Sequence, residues 1–271
     1  GEPELAWRFL KDVPWVGITG TNGKTTTTAL IAAIFQAAGL HAPACGNIGH
    51  PLSEVAIAAA DGRRPDWVVA ELSSYQIEGT AELAPRVGVF TTFTPDHLER
   101  HRTMDNYFRV KAALLHRCDV RVLNGDDPEL RRRAGAEWPA AVWTSAQGPA
   151  SVPRNADRGV YVASGWVVAA GARVVRADAL RVPGGHNRQN LLMAVAAAVA
   201  AGVPAEAIAE AVAGFEGVPH RLQTVRRGGG LAFVNDSKAT NYDSAQVGLD
   251  AFEGPVILIA GGQAKEGTDS A

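Results

Sequence analysis

Residues 17–25 read GITGTNGKT and lie between a short apolar run and a stretch with helical apolar spacing. A glycine-rich turn from strand to helix offers backbone amides and the positive end of the helix to an anion. Lys24 would reach terminal phosphates there, and the Thr25 hydroxyl would hold Mg²⁺. The strict spacing of a phosphate loop asks for glycine where the chain has Ile18, with Gly17 and Gly20 on either side. The GKT triplet and its flanks still point to nucleotide binding, against the bland reading of a glycine-rich turn before an ordinary helix. Such a loop does not choose among kinases, GTPases and ligases.

Other residues are placed for related chemistry. Glu71 ends the apolar run WVVA, so its carboxylate stands at a strand end near the loop, where a hard cation beside a nucleotide needs oxygen ligands. His97, in TPDHLER, follows another apolar run; taken alone, it reads as structural or exposed. Lys111, in YFRVKAALL, alone reads as an exposed helix lysine. Two glycines flank Asn47 and Ile48 in GNIG, as in a loop that approaches a ligand closely or in a plain turn. Asn187, in GGHNRQN, opens a long apolar helix, where capping is a competing role. PHRLQ (219–223) carries Arg221, whose planar donor fork suits phosphate, and NDSKATN (235–241) follows the apolar LAFV.

The elements that position these groups follow from periodicity. Residues 13–19, 66–70 and 87–93 are strand-like runs ending in polar residues, and 25–38 has helical spacing stopped by Gly39. This alternation predicts an α/β fold, a mostly parallel sheet flanked by helices with ligands at the carboxyl ends of strands. Between 142 and 182, short β-branched pieces such as 159–163 and 165–169 predict a small antiparallel subregion. Helices are expected at 188–201 and 204–213, the latter with Pro204 in its first turn. Residues 231–234 and 256–259 read as two strands of a fresh, incomplete Rossmann-like α/β unit. The expected division is therefore 1–217 and 218–271, with sequence continuing on both sides.

The chain has 271 residues, 46% hydrophobic and 20% charged, enough for a substantial core. A net charge of -2 gives no electrostatic case for nucleic acid. The run Arg131, Arg132, Arg133 is read as a solvated helix face. No signal peptide is visible, and the longest apolar stretch, 191–201, is far short of the ~20 residues of a spanning helix. Cys45 and Cys118 have no metal-ligand spacing and suit a reducing cytoplasm.

TGTNGKTT resembles the phosphate loop of the Mur ligase family, shared with folylpolyglutamate synthases, and the likeness continues in order through almost the whole chain. ELSSYQIE (71–78) and NDSKATN resemble the branch that adds glutamate to UDP-N-acetylmuramoyl-L-alanine, although the enantiomer stays open. The resemblance implies an ATP-dependent acid–amino-acid ligase of cell-wall synthesis, forming ADP through an acyl phosphate. It implies that Gly20, Thr21, Asn22, Gly23, Lys24, Thr25 and Thr26 cradle ATP and that Asn187 contacts its base. Asp236 would lie near the nucleotide, and Arg221 would meet the phosphates. Thr25, Glu71, His97 and a Lys111 carbamylated by CO₂ would hold two Mg²⁺ ions. Asn47, Ser73 and Gln76 would face the muramoyl substrate, and Lys238 and Thr240 the reacting carboxylate and incoming amino acid. Lys265, in GGQAK, is a weaker match, because Ala264 and Glu266 stand where the family commonly has aspartate and glycine.

The partners implied are small molecules, with no nucleic acid and no membrane span, and a monomer is expected. The isolated 271-residue chain is expected to be inactive. Two alternatives remain: another ligase of the superfamily, or a regulatory P-loop NTPase that makes no peptide bond.

Overall fold

The computed structural model describes residues 1–152 and 158–262. Its elements begin with α1 (Glu2–Leu10), β1 (Trp15–Thr19), α2 (Lys24–Ala37), β2 (Ala44–Gly46), α3 (Leu52–Ala60), β3 (Val68–Glu71), α4 (Ser74–Glu78) and β4 (Val87–Phe90). They continue with α5 (Leu98–His101), α6 (Met104–His116), β5 (Val120–Asn124), α7 (Pro128–Glu137), β6 (Val142–Ser145), β7 (Val160–Ala163), β8 (Trp166–Ala169) and β9 (Ala172–Arg176). The last are α8 (Gly185–Ala200), α9 (Ala205–Gly214), β10 (Gln223–Gly228), β11 (Leu231–Asn235) and α10 (Tyr242–Leu249).

Among the described residues, nine strands form one sheet in the order β2-β3-β1-β4-β5-β6-β7-β8-β9. It is parallel from β2 to β7 and antiparallel from β7 to β9. The expected antiparallel pieces are therefore present, but they extend the edge of the main sheet. β1 lies between β3 and β4, so the chain changes side around it and leaves a crevice at its carboxyl end.

Both faces of the sheet are covered, which is why its strands read as continuous apolar runs. Val16, Ile18, Val69, Val89 and Val122 pack with Leu30, Ile34 and Phe35 of α2, the buried face of α8, and Ile208 of α9. The alternate residues Trp15, Val68, Ala70, Phe90 and Leu123 pack with α1, α3, α6 and α7. On this second face α6 lies close, because two strand positions have no side chain. A Cβ at Gly17 would sit 2.7 Å from Pro85 Cγ and 3.4 Å from Leu114 Cδ2. One at Gly88 would sit 2.5 Å from Cys118 Sγ and 2.7 Å from Leu115 Cδ1. The two cysteines are buried and free, and burial pushes both thiols up to about 12.

Three expectations change. Residues 231–234 do form a strand, but it pairs antiparallel with β10 as a hairpin. Residues 256–259 form no strand, and Ile257 and Ile259 are 87% and 96% exposed. A run this apolar becomes a strand when neighbours pair its edges and cover its faces. Among the described residues none does so. The arginine run is also not wholly solvated. Arg133 pairs with Glu129 and Asp105, and its guanidinium lies over the rings of Phe93 and Phe108. Among the described residues, no helix is long and apolar enough to cross a membrane.

The fit of α6 on the sheet can be tested at Gly88. Gly88→Ala adds a methyl group where none fits and should destabilise the chain by about 1–3 kcal/mol, seen as a lower melting temperature. The double variant Gly88→Ala/Cys118→Ala should melt above the single one, since it removes the nearest obstructing atom.

Candidate active site

The phosphate loop leaves β1 at the crevice and is held from beside it by the end of β4. Thr21 N donates to Thr92 O (2.8 Å), Asn22 N to Thr92 Oγ1 (2.9 Å), and Thr91 Oγ1 to Asn22 O (2.6 Å). Gly20, at φ +147, could carry no side chain here, because a Cβ would overlap Thr91 Oγ1. No side chain caps α2, so its first-turn amides remain for the loop's ligand. Lys24 Nζ folds back onto the loop, donating to Thr21 O (2.8 Å) and Gly20 O (3.0 Å).

Lys111 comes to the same place from α6. It is 1% exposed, its Nζ donates to Gly20 O at 2.8 Å, and the amine stands 4.7 Å from the centroid of the Tyr107 ring. Burial, followed by the nearby Lys24 charge, holds its amine well below the ordinary lysine range. Tyr107 in turn shares a hydrogen bond with Thr21 Oγ1 (3.3 Å).

On the other side of β1, Glu71 ends β3 and is 1% exposed. Its Oε1 accepts from Asn47 Nδ2 at 2.9 Å, while Oε2 is buried with no hydrogen-bond partner. A Cβ at Gly46 would lie 2.4 Å from Glu71 O, so glycine there lets the Asn47 loop close onto Glu71. An orphaned buried carboxylate oxygen fits a cation, whose charge would offset the cost of burying it. Among the described residues, no three His, Cys, Asp or Glu side chains are placed to hold a metal ion by themselves, so other oxygens must complete such a site. His97 sits at φ 55 before α5, with Tyr75 OH (3.4 Å), Glu99 (3.5 Å) and Asp96 (3.6 Å) around its ring. Ser73 and Gln76 bond each other as the capping box of α4.

The residues expected on the nucleotide side meet in a cavity lined by Asn22, Gly23, Thr26, Asn187, Arg221 and Asp236, among others. Arg221 Nη2 donates to Thr25 Oγ1 at 3.1 Å, and Arg221 Nε is buried without a partner. Asn187 does not cap α8, whose N-cap is Gly184. Its Nδ2 donates to Pro183 O (2.6 Å), and its Oδ1 accepts from Asn190 Nδ2 (3.0 Å). Asn190 Oδ1 accepts from Thr27 Oγ1 (3.3 Å), which ties α8 to the phosphate-loop helix. Lys238 and Thr240 do not line this cavity; they are exposed on either side of Ala239, which does. Lys265 lies outside the described residues.

Several members of the site were given no role from the sequence, although Asn241 closes NDSKATN and Asn190 closes GGHNRQN. Asp243 accepts from Asn22 Nδ2 (2.6 Å) and Thr94 Oγ1 (3.2 Å), and Asn241 Nδ2 donates to Asn22 Oδ1 (3.2 Å) and Asp96 Oδ2 (3.3 Å). Asn190 and Tyr107 were accessible in principle, three residues after Asn187 and four before Lys111, since helical neighbours share a face.

The model of the Mur ligase middle domain matches residues 18–198, from the phosphate loop through most of α8. The chain belongs to the Mur ligase family. It is 56% identical over 270 residues to a UDP-N-acetylmuramoylalanine--D-glutamate ligase of Gloeothece citriformis, covering 100% of this chain and 60% of that protein. It is 60% identical over 275 residues to the like-named ligase of Synechococcus elongatus, covering 100% and 59%. The chain thus spans about 60% of the length of these Mur ligases. Among solved structures, the D-alanyl-D-alanyl-adding ligase of Acinetobacter baumannii has a TM-score of 0.71 at 20% identity, covering 91% of this chain and 56% of that one. The UDP-N-acetylmuramate-alanine ligase of Thermotoga maritima has a TM-score of 0.66 at 22% identity, covering 92% and 55%. At these identities the likeness is one of fold.

Burial of Lys111 has a measurable cost. A lysine whose folded pKa is depressed sheds affinity for its proton on folding, so the unfolded chain binds more protons and stability rises with pH. The penalty is full below the depressed value and vanishes above the usual 10.5. Lys111→Met, which leaves Gly20 O its bond from Lys24, should stabilise the chain at pH 7 by on the order of 1 kcal/mol, seen as a higher melting temperature. The gain should shrink as pH approaches 10. A lower melting temperature at pH 7 would contradict the desolvation argument.

Proposed function

We propose that the protein carrying this chain joins D-glutamate to UDP-N-acetylmuramoyl-L-alanine at the expense of ATP, a step of peptidoglycan synthesis in the cytoplasm. The observation that carries this reading is the desolvated Lys111 amine on the carbonyl of the phosphate loop. A simple nucleotide-binding module has no use for it, whereas a neutral amine can react with CO₂ to give a carbamate and a proton. That would turn the amine into an anionic oxygen ligand, near enough to Glu71 for the two charges to interact. The relatives' names supply the substrate, and the match extends over the whole of the chain.

In this reading Lys24 exchanges its loop carbonyls for the ATP phosphates, and Arg221 neutralises charge from the opposite side, next to Thr25. Thr25, Glu71, His97 and carbamylated Lys111 hold two Mg²⁺ ions, which supply charge neutralisation at the transferring phosphoryl group. Asn47, with Ser73 and Gln76, faces the muramoyl substrate and orients its alanine carboxylate for attack on the γ-phosphate. The amine of glutamate then attacks the acyl carbon of the resulting acyl phosphate, forming the amide bond and releasing phosphate and a proton. Asn187 contacts the base, Asp236 lies near the nucleotide, and Lys238 and Thr240 serve the acyl and amino-acid side. Most of the rate comes from positioning reactants and neutralising charge.

In the full-length protein, phosphate release from ATP should require both UDP-N-acetylmuramoyl-L-alanine and D-glutamate. ATP hydrolysis indifferent to both would refute the ligase assignment. Lys111→Ala should lower activity by at least about 100-fold, and short-chain carboxylates in the assay should restore part of it if a carbamate oxygen is what the lysine supplies.

A further inference from the structure

His101 is the last residue of α5, in LERH, a stretch whose composition reads as exposed. It is instead 1% exposed and touches three parts of the site. Its Nε2 shares a hydrogen bond with Ser74 Oγ at 2.9 Å, in the first turn of α4 and beside the Ser73–Gln76 capping box. Its ring stacks on Tyr107, with centroids 5.0 Å apart and planes at 26°, and Tyr107 carries the Lys111 amine on one side and Thr21 on its hydroxyl. Its backbone N–H donates to His97 O at 3.0 Å, and its carbonyl accepts from Asn106 Nδ2 at 2.9 Å. The Nδ1 atom is buried with no partner.

Packing alone does not account for an imidazole here. A phenyl ring would stack on Tyr107 equally well without an unsatisfied buried nitrogen, which costs stability. The Nε2 bond is what a phenyl ring lacks. In either tautomer of the imidazole, Nε2 and Ser74 Oγ share one proton.

We propose that His101 is a positioning residue for the ligase reaction: its Nε2 bond to Ser74 fixes the substrate-facing helix α4, and its ring fixes Tyr107 beneath Lys111. The inference rests on the ligase reading given above. One side chain thus ties the groups that face the muramoyl substrate to those that face the phosphates, and its two functions are separable by substitution.

His101→Phe in the full-length enzyme keeps the ring and removes the Nε2 bond. It should raise the KM for UDP-N-acetylmuramoyl-L-alanine about five-fold, leaving the KM for ATP and kcat close to those of the parent. Ser74→Ala removes the same bond from the other side by deleting one hydroxyl and should give the same change. The double variant should be no worse than either single one. His101→Gln, which offers an amide but no ring, should hold the muramoyl KM nearer the parent value and lower kcat. The proposal is overturned if Ser74→Ala, folded as judged by its melting curve, leaves the muramoyl KM unchanged, or if the two substitutions multiply. If His101→Phe does not fold, Ser74→Ala alone decides. Failure of the ligase reading itself would show differently, as parent enzyme whose phosphate release ignores the muramoyl nucleotide.

Discussion

One backbone oxygen, that of Gly20, accepts hydrogen bonds from two lysine amines, Lys24 at 3.0 Å and Lys111 at 2.8 Å. Burial penalises a charge on Lys111, and the neighbouring Lys24 ammonium would repel it as well. The arrangement holds because rigid parts impose it. The threonines after β4 fix the loop, and Gly17 and Gly88 let α6 lie against the sheet. Lys111 is therefore delivered by core packing, and its unusual chemistry follows from where α6 has to lie.

The phosphate loop was legible because its chemistry is local: strand, glycine turn and helix occur within a few consecutive residues. The parallel sheet was legible for a similar reason, since strands buried on both faces advertise themselves as apolar runs. Lys111 was not legible from its own neighbourhood. In YFRVKAALL its burial depends on glycines some 23 and 94 residues earlier, which no helical period records. His101 was passed over for the same reason, its partners being Ser74 and Tyr107 across the gap between α4 and α6. At 256–259 the error ran the other way. Composition announces a buried strand, but strand formation belongs to pairing and cover, which the described residues do not supply.

Among the described residues, those from 218 onward reach back to the loop through hydrogen bonds, Arg221 to Thr25, Asn241 and Asp243 to Asn22, and Asp243 to Thr94. Bonds of this kind, largely accessible to water, each contribute about 1 kcal/mol or less, far below what holds α2 and α8 together through their apolar faces. The two sides of the nucleotide cavity are thus bound with unequal strength. The side built on the sheet is rigid, and the side carrying Arg221 and Asp236 can be exchanged at small cost.

That inequality bears on how charge is handled. The loop's own charges are occupied internally, with Lys24 on two carbonyls and Arg221 on the Thr25 hydroxyl. In the proposed function a triphosphate would compete for each donor, because its oxygens carry the negative charge that the carbonyl and hydroxyl acceptors lack. Lys24 can switch by rotating its side chain, because the loop beneath it does not move. Arg221, which in the proposed function meets the same phosphates, is joined to the sheet side through Thr25. Precision therefore resides on the sheet side, where Glu71, Lys111 and the first turn of α2 are set by the core, and adaptability on the side that has to admit and release the nucleotide.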